Sequence, residues 1–104
     1  MSEEEKEEEK KYKVEIIARD LISVYPKLKE EHKQVIVTYR YNELPTRAIT
    51  IDLFEHFKEK QEEVAKAIEE RKGDLWQKYL ELEKKLIKED IERAKAARPE
   101  TYTL

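Results

Sequence analysis

Residues 34–41 (QVIVTYRY) and 47–53 (RAITIDL) carry a β signal, with a turn-prone stretch around Asn42 and Pro45 between them. Two alternating runs flanking a turn read as a β-hairpin. Its register follows from where the apolar side chains must go. Pairing Tyr41 with Thr46 sets Val35, Val37, Tyr39 and Tyr41 beside Thr46, Ala48, Thr50 and Asp52. Moving Thr46 into the loop aligns those four with Arg47, Ile49, Ile51 and Leu53 instead, giving one apolar and one polar face. A one-residue slip would destroy that separation, so the odd-length loop is expected. Two strands alone are marginal in water. Helices must cover one face, or a third strand must join from residues 12–17, from residues 101–104, or from another copy.

Downstream of the hairpin, two helices read almost to the residue. Asp52-Leu-Phe-Glu55 opens one and Gly73 closes it; Asp74-Leu-Trp-Gln77 opens the next, and Pro99 ends it. Both openings fit a capping box, in which a short oxygen side chain accepts an orphan backbone N–H. The helix at 53–72 offers Leu53, Phe54, Phe57, Val64, Ala65 and Ile68 to a core. The helix at 75–98 carries two stripes, Trp76, Leu80, Ile87, Ile91 and Ala94 beside Leu75, Tyr79, Leu82 and Leu86. That arc is wider than one apolar neighbour needs.

Upstream, Val14, Ile17, Ala18, Leu21, Ile22 and Tyr25 recur at helical spacing before Pro26, which predicts a helix over about 3–25. Tyr12, Val14 and Ile16 also alternate, and the β-branched residues would suit a strand. Residues 1–11 form an acidic head, either a solvated tail or the first turns of that helix, and 12–104 a single domain. The expected fold is α+β: an N-terminal helix, an antiparallel hairpin with a possible third strand, then a two-helix hairpin packed on the sheet.

Composition narrows function mainly by exclusion. Charged residues make up 45% of the 104 and hydrophobic ones 38%, with one glycine and no cysteine. Glu and Lys supply most of the charge, which suits a heat-adapted protein or an engineered, de novo sequence built from helix formers. Without cysteine there are no disulfides or thiolate sites. No apolar run approaches the roughly 20 residues that span a bilayer, and the acidic start is unlike a secretory signal. A cytoplasmic protein with no membrane partner is therefore expected. The net charge of −3 resides in residues 1–11, with six Glu and three Lys, so the rest sums to zero. That is not the broad basic surface of a nucleic-acid binder.

Candidate sites are few. Asp52, His56 and Glu59 share a helical face that would suit a metal, but Asp52 is needed as a cap, so no metal is expected. Ser23 is the sole serine beyond the start, and Gly73 cannot make a phosphate loop. No catalytic residue, cofactor or small-molecule substrate is evident, and the protein is not expected to be an enzyme. Lys33, Tyr39, Arg40, Tyr41 and Arg47 interleave cations with aromatics, as a weak nucleic-acid contact would. They equally suit tyrosines packed on helices with Arg47 lying across Tyr41. Leu75, Tyr79, Leu82 and Leu86, with Trp76 beside them, step at 3.5-residue spacing as a self-association seam does. The expected function is a structural or protein-interaction module forming a homo-oligomer (an assembly subunit, or an engineered scaffold or binder), with the hairpin edge as a second docking site. Weak nucleic-acid binding is the alternative.

Overall fold

The computed structural model describes residues 13–102. Strands β1 (Val14–Lys27), β2 (Glu30–Tyr41) and β3 (Arg47–Asp52) form one antiparallel sheet in that order. The helices α1 (Leu53–Phe57), α2 (Gln61–Glu70), α3 (Asp74–Ala97) and α4 (Pro99–Tyr102) follow, with a 3-10 turn at Lys58–Lys60. The fold is α+β with a helical hairpin, α2 and α3, on one face of the sheet. Val35, Val37, Tyr39, Tyr41 and Ile51 meet Leu53, Val64, Ile68, Tyr79, Ile87 and Ile91 in the core between the layers. The described part spans 46 × 32 × 19 Å, thin because it has only those two layers.

The expected N-terminal helix is a strand from Val14 onward, while its first residues and the acidic head at 1–11 lie outside the described residues. The misleading helical spacing has a specific cause. Val14 pairs with Tyr41 and Ile16 with Tyr39, then a bulge at Ile17 shifts the parity so that Arg19 and Leu21 face Val37 and Val35. Cross-strand partners share a face, so Val14, Ile16, Arg19 and Leu21 point toward the helices. Ala18, Ile22 and Val24 lie on the other face. A bulge inserts one residue and breaks the period of two, and apolar residues on both faces then imitate a period of 3.6. β1 supplies the third strand.

The hairpin between β2 and β3 keeps the expected faces but not the expected register. Tyr39, not Tyr41, pairs with Arg47, and Val35 pairs with Ile51 rather than Leu53. Two local events move the pairing by two residues. Asp52 caps α1, its side chain accepting the Glu55 N–H at 3.1 Å, so Leu53 is already helical. At the other end Tyr41 turns the chain: Leu44 N–H donates to its carbonyl at 3.1 Å, and Asn42 is left-handed at φ 55°. Pro45 has no N–H to offer a ladder.

The helix expected over 53–72 is interrupted at Lys58, which is left-handed at φ 51°. After this break Gln61 reaches the edge of β2 beyond the end of β3. Its Oε1 accepts the Lys33 N–H at 2.8 Å, and its Nε2 donates to the Glu31 carbonyl at 2.8 Å. One side-chain amide thus continues the ladder that β3 abandons, satisfying backbone groups that would otherwise stay unpaired. The second expected capping box is absent. Gly73, at φ 95°, takes the cap position, and Asp74 is the first helical residue of α3. α3 ends at Ala97 ahead of Pro99. Residues 99–102 form a helical turn instead of a strand, and Tyr102 stacks on Tyr41 with centroids 6.2 Å apart.

Candidate functional site

Two carboxylates in the apolar stripe of α3 organise the polar chemistry of the protein. Glu83, 3% exposed, accepts Arg19 Nε and Nη2 at 2.7 Å each and the Tyr79 hydroxyl at 2.5 Å. The Arg19 guanidinium also lies 5.1 Å from the centre of the Trp76 ring. Asp90, seven residues on, accepts Arg47 Nε at 2.9 Å, Arg47 Nη2 at 3.3 Å and a short bond from the Tyr39 hydroxyl. Seven residues rise about 10.5 Å, close to the roughly 9.6 Å between the two edge strands of a three-stranded sheet. One helix therefore reaches an arginine on β1 and another on β3.

The electrostatics match closed pairs. Burial, then the bond to Glu83, pushes the Tyr79 hydroxyl far above its ordinary value, and burial with Asp90 does the same to Tyr39. Both tyrosines remain donors at any ordinary pH. Asp90 is pushed up by burial, but the bonds from Arg47 and Tyr39 outweigh this and hold it below the usual carboxylate range.

A third polar cluster sits where β2 meets α1. His32 Nδ1 lies 2.9 Å from Asp52 Oδ2, and the ring stacks on Phe54 with centroids 4.3 Å apart. The bond to Asp52 raises His32 above its ordinary 6.5 despite the opposing effect of burial. Burial pushes Asp52 up, but bonds from His32, the Glu55 N–H and Gln34 leave it lowered. The raised His32 stabilises the fold fully below about pH 6.5 and loses that contribution as pH rises through its folded value; the lowered Asp52 contributes above about pH 3.9 and fails below it. The pair is thus strongest between these limits. The melting temperature of the parent is expected to fall relative to His32→Gln between pH 6 and 8. Parallel profiles over that range, followed by circular dichroism, would show the pair to be inert.

The residues that the sequence singles out are dispersed. Trp76 and Tyr79 of the proposed seam face the protomer's own core, while Leu75, Leu82 and Leu86 are half-buried against it. Of the basic and aromatic set, Tyr39 and Tyr41 are buried and Arg47 is held by Asp90. Lys33 pairs with Glu31 at 3.2 Å, and the exposed Arg40 lies 3.7 Å from Glu15. Lys95, not Arg47, approaches the Tyr41 ring, at 5.4 Å. His56 is exposed on α1, and Asp52 is engaged by His32 and by the cap. No helix among the described residues is long and apolar enough to cross a membrane.

Sequence reasoning passed over Arg19, Glu83 and Asp90. The readable signal was two acids seven residues apart within the stripe that holds Trp76, Tyr79, Ile87 and Ile91. The chain matches no known protein family, and neither a curated protein nor a solved structure matches it.

Proposed function

We propose that this protein is a non-enzymatic interaction module that associates with a second copy of itself through the edge of β1 and the arm it forms with β2. One observation carries the reading. The large hydrophobic side chains exposed among the described residues are Ile17, Ile22, Tyr25 and Leu28, at 46, 37, 61 and 98%, and all fall in β1 or the turn that follows it. Scattered exposed hydrophobes are ordinary, whereas a set confined to one element marks a contact surface.

β1 is also an edge strand of 14 residues, paired only with β2. An edge presents unpaired N–H and C=O groups, a template for another strand. A twofold axis sets such an edge antiparallel against its own copy, where the spacing of donors and acceptors matches by symmetry. The internal pairing of Arg19 and Arg47 with buried carboxylates further supports cohesion over catalysis, since those groups are committed to holding the layers together.

Sedimentation velocity across micromolar concentrations tests the proposal. A dimer is expected for the parent, with at least a tenfold weaker association in Ile17→Lys and in Ile22→Lys. A monomer at high micromolar concentration would sink the proposal. A dimer insensitive to both substitutions but abolished by Leu82→Glu would move the interface to the seam on α3.

A further inference from the structure

The outer end of α3 closes a second feature that the association surface leaves untouched. A cavity of about 360 Å³ opens between the start of β3, the last turns of α3, and α4. Arg47, Arg93 and Arg98 line it, together with the hydroxyls of Thr46, Thr101 and Tyr102. Among the described residues, Asp90 is the sole carboxylate in its lining.

The three guanidiniums are not equally committed. Arg47 is fixed by its two bonds to Asp90, while its Nη1 reaches only the Tyr102 hydroxyl, at 3.5 Å. That fork is pre-oriented at the inner wall. Arg93, with a side chain 69% exposed, approaches Asp90 no closer than 3.7 Å. Arg98 is exposed, and no carboxylate among the described residues lies within ion-pair distance of it. Among the described residues, three cations around one carboxylate leave the lining two positive charges in excess, in a chain whose net charge is −3.

Guanidinium forks match the geometry of phosphate and carboxylate oxygens. The charge decides between them: a phosphomonoester carries about −1.5 to −2 at pH 7, near the excess of the lining, whereas a carboxylate carries half as much. The volume lies in the lower range of small-molecule sites, and Pro45, Ala94 and Ala97 supply apolar wall beyond the cations. We propose that this cavity binds the phosphate group of a small phosphomonoester, with Arg47 as the fixed fork and Arg93 and Arg98 closing over the outer oxygens.

Titration of the isotope-labelled full chain, followed by amide NMR shifts at constant ionic strength, tests the proposal. Inorganic phosphate is expected to produce saturable shifts at Thr46, Arg47, Arg98 and Thr101. Phenyl phosphate should bind more tightly because its ring meets the apolar wall. Arg93→Ala and Arg98→Ala, both at exposed positions, should each weaken binding about tenfold, as loss of a charged hydrogen bond does, while Lys84→Ala leaves it unchanged. Methanesulfonate, a monoanion of similar shape, should bind at least tenfold more weakly. Equal binding of methanesulfonate, or titrations unaltered in the Arg93→Ala/Arg98→Ala double variant, would reduce the cavity to the solvated shell of the Arg47–Asp90 pair and overturn the proposal. Saturation seen only with a phosphoserine peptide, and with neither small phosphate, would overturn it too.

Discussion

Glu83→Ala is expected to lower the unfolding free energy by about 3–5 kcal/mol, the cost of removing one partner from a buried ion pair. The substitution leaves Arg19 with a side chain 14% exposed and no carboxylate, and it strands the Tyr79 hydroxyl at 0% exposure. Neither group can easily return to water: Arg19 points inward from β1 beside Trp76, and Tyr79 is on the buried face of α3. The pair itself contributes far less than its loss costs, because desolvating two charges offsets most of their attraction. The triple replacement Arg19→Met, Tyr79→Phe, Glu83→Leu should therefore recover most of the lost stability. Urea unfolding of the parent, Glu83→Ala and the triple variant measures both effects. A cost below about 1 kcal/mol for Glu83→Ala, the range of exposed pairs, would mean that the station is solvated.

Two ends of the helical region were legible because they are local: Asp52 bonds an N–H three residues away to start α1, and Pro99 cannot continue the helix that precedes it. The faces of the β2–β3 hairpin were legible too, because a period of two survives any register of the same parity. The register itself was not, since it depends on where Asp52 ends the strand and where Tyr41 turns the chain. β1 was misread because one bulged residue at Ile17 converts alternation into a helix-like spacing. Among 25 acidic residues, only their place in the apolar stripe of α3 marks the two carboxylates. What separates Glu83 and Asp90 from the others is the arrival of an arginine from each edge strand, a contact between residues 64 and 43 positions apart. The exposed apolar set on β1 is hidden for a related reason: the helix-like spacing puts Ile17 and Ile22 among residues that a helix would bury.

At the second station, Asp90→Ala is expected to cost about 2–3 kcal/mol, less than Glu83→Ala, since an unsatisfied buried donor costs about 1–3 kcal/mol. The lower figure follows from exposure. The Arg47 side chain is 35% exposed and can find water, so the penalty falls chiefly on the fully buried Tyr39 hydroxyl. Asp90→Asn keeps an acceptor for Tyr39 while removing the charge, and should cost about half as much. Acid separates charge from shape. Asp90 titrates below the ordinary carboxylate range because Arg47 and Tyr39 outweigh its burial. Its contribution is therefore complete above about pH 3.9 and declines as pH falls through the lower folded value. The parent should lose more stability on that descent than Asp90→Asn, which shares every other titration but lacks this one, so their difference should shrink toward zero at the acid end. Urea midpoints for both proteins from pH 7 to pH 2 decide the matter. A gap that stays constant would show that Asp90 acts through packing alone, and that the charge of Arg47 does not hold α3 to β3.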